Sequence, residues 1–252
     1  MKKSFGKILK RVGIGLLALF LVLVAVGWYL NEAKPVAKSS AEADSLAKRM
    51  LKAVGNDAWQ QTALVRWTYA GGHDFVWDKK RNLVSVSWQD TRVLLNLNDW
   101  AKGQTFVGNV RQTGNQVDVL RGKAWAFFCN DSFWLIAPTK ILDKDTERSL
   151  VPQTDGSNAL LVTYKSGGVT PGDSYLWFLD RNGLPTRYKM WVSIIPIGGV
   201  EATWEDWQPL SSGALVATKH KLGPLTLKVE NLKSGNTIQD LGLKEDLFLG
   251  IL

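Results

Sequence analysis

One cysteine, two histidines and the adjacent carboxylates Glu205-Asp206 are the residues here whose chemistry could exceed packing. Cys129, within Phe127-Phe128-Cys129-Asn130-Asp131, would need a neighbouring base to act as a nucleophile, and the local sequence supplies none. A small buried apolar residue is the plainer use of a lone cysteine. Gly72-His73-Asp74 sets a base beside a carboxylate, yet adjacent strand residues point to opposite faces. His220, between Lys219 and Lys221, reads as part of a solvated strand face. Glu205-Asp206, joined by Asp173 or Asp180, would suit sugar cleavage by paired carboxylates, but the two also diverge along a strand. One cysteine excludes a disulfide framework and a multi-cysteine zinc site. No phosphate-binding glycine loop, nucleophile elbow or zinc-helix motif occurs, and Gly167-Gly168 and Gly198-Gly199 read as turns. The chain therefore reads as non-enzymatic, with no metal and no cofactor.

Charge points away from nucleic acid. Five cations (Lys2, Lys3, Lys7, Lys10, Arg11) and no acid lie in residues 1–30, so the remainder carries only +3 of the formal +8. That is too weak a field to hold a phosphate backbone. Residues 12–30 form an uncharged run of 19 that would span about 28 Å as a helix at ~1.5 Å per residue, close to a ~30 Å hydrocarbon core. Trp28 and Tyr29 suit the interface, and the cations before the run keep the N-terminus cytoplasmic. Ala25-Val26-Gly27 would permit signal cleavage, but the run is longer than a usual signal core. The expected layout is a cytoplasmic basic segment 1–11, an anchor or signal segment 12–30, a linker 31–39 and an exported domain 40–252. The expected location is the inner membrane, single-pass, with the C-terminal domain in the periplasm, which suits a lone cysteine.

In that domain Ser39-Ser40-Ala41-Glu42 fits a capping box, followed by apolar residues at helical spacing from Ala43 to Val54 and a terminating Gly55. A short helical turn from Asp57 carries Trp59. From Thr62 the period becomes two, and strands are expected at 62–69, 73–78, 83–88, 92–97, 105–110 and 116–120. Residues 122–136 read as a helix ending before Pro138. Further strands fall at 159–164, 175–180, 186–193, 201–207, 215–222 and 225–229, with Asn182-Gly183 the strongest hairpin signal.

Eleven of the 12 tryptophans lie beyond residue 30, and several strands are bulky on both faces. Such strands need cover on both sides. The expected fold is therefore mainly β (α+β): a strongly curved antiparallel sheet, or half-open β-barrel, with covering helices and one N-terminal transmembrane helix. Strand alternation selects Val65, Trp67, Phe75, Trp77, Val86, Trp88, Trp177, Tyr188 and Trp204 as the lining of an apolar cavity inside it.

The element order, with Tyr175-Leu-Trp-Phe-Leu-Asp-Arg-Asn-Gly-Leu-Pro-Thr-Arg187 and the later Trp204-Glu-Asp-Trp207, resembles the outer-membrane lipoprotein-sorting (LolA/LolB-like) superfamily of bacterial envelope proteins. The resemblance spans roughly residues 41–228. It implies a half-open barrel closed by helices and non-covalent binding of a lipid or acyl chain. This chain departs from the family in its retained anchor and in lacking an acylatable cysteine, which favours a tethered role over shuttling. Two other functions compete: a Trp-rich carbohydrate-binding or glycan-cleaving protein, and a structural partner within an envelope assembly. The expected partners are a lipid or acyl chain, the membrane, and an envelope protein.

Overall fold

The computed structural model describes residues 2–249. Met1 of the expected basic segment and positions 250–252 of the expected domain lie outside the described residues. Helix α1 (Lys2–Leu30) contains the stretch Val12–Leu30, the one helix among the described residues long and apolar enough to cross a membrane or act as a signal segment. None of that stretch is buried in protein.

Ser40 caps α2 (Ala41–Ala53), its hydroxyl accepting from the Ala43 N–H at 3.2 Å, and Gly55 follows with φ +67°. The left-handed backbone there favours glycine. A short α3 (Asn56–Gln61) then buries Trp59. Six strands come next: β1 (Leu64–Tyr69), β2 (His73–Asp78), β3 (Leu83–Trp88), β4 (Thr91–Asn96), β5 (Gln104–Val107) and β6 (Val110–Arg111). Helix α4 (Gln116–Ile136) interrupts the strands. After it come β7 (Thr146–Pro152), β8 (Asn158–Tyr164), β9 (Ser174–Leu179), β10 (Pro185–Trp191), β11 (Val200–Thr203), β12 (Glu205–Pro209), β13 (Leu215–Leu222) and β14 (Leu225–Gly235).

The strands form two open antiparallel sheets, one of nine strands ordered β12-β13-β14-β1-β2-β3-β4-β5-β6 and one of five ordered β11-β10-β9-β8-β7. This corrects the expected strongly curved sheet or half-open barrel. The expectation rested on strands that are apolar on both faces, and the fold covers those faces by other means. Helix α4 lays Ala124, Phe128 and Leu135 on one face of the nine-stranded sheet, against Trp67, Phe75 and Val86. On the opposite face, Ile238, Leu241 and Phe248 of the C-terminal segment cover Leu64, Val76, Leu83 and Leu94. Helix α2 packs Ala43, Ala47 and Met50 on the five-stranded sheet.

The chain changes sheets at Trp204. What reads as one strand, 201–207, is β11 in one sheet and β12 in the other. Three further differences have local causes. Residues 116–120 open α4 because Val117, Leu120 and Ala124 continue a helical stripe that five residues alone cannot distinguish from alternation. The expected strand 105–110 is a hairpin, turned by Gly108 and Asn109 at φ +55° and +66°. Strand β7 was invisible because its charged, half-exposed pattern does not alternate cleanly.

Candidate functional site

An open cleft of about 670 Å³ lies between α4 and the five-stranded sheet. Helix α4 offers Phe128, Cys129, Phe133 and Ile136, while Tyr164, Tyr175, Tyr188, Met190 and Val192 face them from β8 to β10 and the residue beyond. The rings interlock: Phe133 lies 4.8 Å from Tyr175 and meets Tyr164 edge-on at 5.7 Å. Lys140, Asp143 and Lys144 supply charge along the cleft, and Lys140 is paired with Asp143. Two residues of this lining carry a polar atom that is buried away from the cleft surface without a partner among the described residues, the Trp77 indole N–H and the Tyr164 hydroxyl. Burial pushes the Tyr164 phenol well above its ordinary pKa, so it stays protonated and able to donate.

Of the nine residues selected from sequence, Trp77 and Tyr188 reach this cleft. Val65, Trp67, Phe75, Val86 and Trp88 lie in the core under the nine-stranded sheet, where Trp67 stacks on Phe75 at 4.7 Å. Trp177 and Trp204 lie in the core of the five-stranded sheet, their rings 5.1 Å apart. The expected apolar-ligand cavity inside a curved sheet is therefore absent, and with it the basis for lipid binding and lipoprotein sorting. Sequence reasoning passed over Tyr164, Tyr175 and Phe133. Tyr175 was detectable, because it shares a strand face with Trp177, but nothing local pairs Phe133 with residues some 40 positions downstream.

The chemical candidates are engaged elsewhere. His73 Nδ1 lies 2.6 Å from Asp131 Oδ2 on α4, not beside Asp74, and Phe127 stacks on the imidazole at 3.8 Å. Burial raises the Asp131 carboxyl from 3.8 to about 6, against the opposing pull of His73. The pair pins the β1–β2 hairpin to α4. His220 is fully buried, which corrects its reading as a solvated strand residue. Its Nδ1–H donates to the Thr203 carbonyl at 3.0 Å and its ring meets Trp204 edge-on at 4.5 Å, at the seam where the chain changes sheets. Burial lowers its pKa from 6.5 to about 4, so it is neutral there. Cys129 is half-buried, and desolvation raises its thiol to about 11, which keeps it protonated.

Glu205 bonds Lys219 and Lys221 at 3.2 and 3.1 Å, while Asp173 accepts from the Thr170 hydroxyl at 2.6 Å and the Ser193 N–H at 3.0 Å. Asp180 accepts two turn N–H groups at 2.8 Å. These carboxylates are not assembled into a pair. Beyond α1, the most exposed tryptophan among the described residues is Trp100, 38% exposed, and it stacks on the half-buried Trp125 at 6.3 Å. Among the described residues no group of three or more metal-ligating side chains clusters.

No protein-family model matches the chain, and no curated protein matches it. Among solved structures it is similar to a DUF1329 family protein from Desulfovibrio piger, at 13% identity and a TM-score of 0.43, over 81% of this chain and 96% of that one. That likeness is too low to carry an argument about function.

Proposed function

We propose that the chain is a membrane-tethered, non-enzymatic docking domain on the periplasmic side of the inner membrane, whose inter-sheet cleft receives an apolar stretch of a partner protein in the envelope. One observation carries this: an open cleft walled by Phe133, Tyr164, Tyr175, Tyr188 and Met190, with Lys140, Asp143 and Lys144 along it. A polypeptide brings both things such a site asks for. Its side chains fill the space between Phe133, Tyr175 and Met190, at about 1.5–3 kcal/mol for each large apolar group buried. Its backbone and polar side chains meet the charges along the cleft, which a hydrocarbon tail would leave unanswered. The pinned His73 and the protonated Cys129 thiol support a site that binds without making bonds. The cation-rich start of α1 and the uncharged Val12–Leu30 support a retained anchor with the domain outside the cytoplasm.

The test is photo-crosslinking in intact cells, with a benzophenone amino acid replacing Phe133 and, as a control on an exposed strand, Val110. A discrete protein adduct at 133, absent at 110 and lost on adding Met190→Glu, is the expected outcome. No protein adduct at 133, or equal adducts at both positions, overturns the proposal.

A further inference from the structure

We infer that the loop 192–199, between β10 and β11, is a second membrane contact that seats the domain on the bilayer. The inference rests on reading Val12–Leu30 as a retained anchor. The linker 31–39 is not a loose tether. Immediately after α1, the Glu32 N–H donates to the Gly198 carbonyl at 3.0 Å and the Gly198 N–H donates to Asn31 Oδ1 at 2.8 Å. Lys189 holds the Glu32 carboxylate at 2.7 Å, and the Trp191 indole donates to the Glu32 carbonyl at 2.8 Å. Farther along, Lys34 reaches Ser174 at 3.4 Å and Ser39 bridges to Ser149 of β7, so the linker crosses the outer face of the five-stranded sheet.

The approach is close enough to demand glycine. A Cβ on Gly198 would lie 2.6 Å from the Glu32 carbonyl oxygen, and one on Gly199 would lie 2.5 Å from the Glu32 Cβ. Because Asn31 and Glu32 follow directly on Leu30, Gly198 is held within about 10 Å of the helix end, at ~3.5 Å per extended residue, and Ile194 lies four residues from it. Whatever surface the helix emerges from, this loop sits beside it.

The composition of that end of the sheet fits a lipid surface. The loop 192–199 reads Val-Ser-Ile-Ile-Pro-Ile-Gly-Gly without a charge, and Ile194 is 70% exposed. The neighbouring stretch 166–172 also lacks charge and presents Val169, 41% exposed. It lies at the same end, since Ser174 pairs with both Thr163 and Trp191. The opposite end of the sheet carries Asp155, Asp180 and Arg181 in its turns. Exposed branched apolar side chains beside a bilayer, with the exposed charges of Lys144, Asp145 and Lys165 at the same end of the sheet to meet the headgroups, describe a face that enters the headgroup region.

The experiment uses the full chain with Cys129→Ser and a single cysteine at Ser193→Cys or, as control, Asp155→Cys, each labelled with an environment-sensitive fluorophore. The labelled chains are reconstituted into phosphatidylcholine–phosphatidylglycerol vesicles carrying doxyl-labelled acyl chains. The expected result is at least twofold quenching and a blue shift at 193 but not at 155, with Ile194→Ser relieving the quenching at 193. Quenching at 193 no greater than at 155, or unchanged by Ile194→Ser, overturns the loop's role. Carbonate extraction of cells expressing the chain separates the two claims: release into the wash overturns the anchor itself, whereas a retained chain with a silent 193 overturns only the loop.

Discussion

At the residue scale, the histidines and Asp131 report how burial sets charge. A buried carboxyl held at about 6 instead of 3.8 favours the protonated form in the folded state. The stability it contributes is complete below about pH 3.8 and is lost as pH rises through about 6. Asp131→Asn keeps an acceptor for His73 and removes that titration, so the variant's stability relative to the parent's should rise between pH 4 and 6, measured as the difference between their urea unfolding curves. His220 has the opposite sign. Its pKa falls from 6.5 to about 4, so the stability it contributes is complete above about pH 6.5 and lost as pH falls through about 4. His220→Phe should remove that acid-side slope while costing about 1–3 kcal/mol at neutral pH, because the Thr203 carbonyl loses its donor. None of this was legible in sequence. His73 and Asp131 are 58 positions apart, and the lysines flanking His220 suggested solvent where there is a tryptophan cage.

At the element scale, α4 helps connect the two halves. Trp134 packs against both large cores, 5.8 Å from Tyr188 and 5.2 Å from His220. Trp134→Ala should cost about 3–5 kcal/mol and broaden the thermal transition, read by calorimetry. Most elements were readable because their causes are local: the serine cap and left-handed Gly55 of α2, the Asn182-Gly183 turn, the strict alternation of β1 to β4. Where the cause was distant, reading failed. The first turn of α4 and the charged strand β7 owe their form to what they pack against. The linker is a third such case, since its docking depends on Gly198 and Gly199, which as sequence mark only a turn. Gly198→Ala should displace Glu32 and speed proteolysis within 31–39, with the domain's unfolding midpoint nearly unchanged.

At the scale of the molecule, two open sheets are held by layers on their outer faces as well as between them. The C-terminal segment is one such layer, clamped by Arg81, which grips Asp246 with two hydrogen bonds at 2.7 and 2.9 Å and Asp78 with one at 2.7 Å. Ending the chain at 235 would strip Phe248, Leu241 and Ile238 from Leu64, Val76, Leu83 and Leu94. The expected outcome is an aggregating or strongly destabilised protein, measured by solubility and melting temperature. Asp246→Ala alone should cost about 1–2 kcal/mol, since a partly buried bidentate pair exceeds an ordinary surface ion pair.

From its residues alone the chain declares an apolar N-terminal helix, a strand-rich domain after it and tryptophans in the strands, because hydropathy and periodicity act over a few neighbouring positions. Whether that domain curls around a void or stays as two open sheets is decided by which distant segments cover the strands' second faces. Here Phe248, Phe128 and Met50 provide the cover, from the C-terminal segment, α4 and α2. Burial against remote partners is a property of the assembled chain, so most of the tryptophans that looked like a lining became the packing itself.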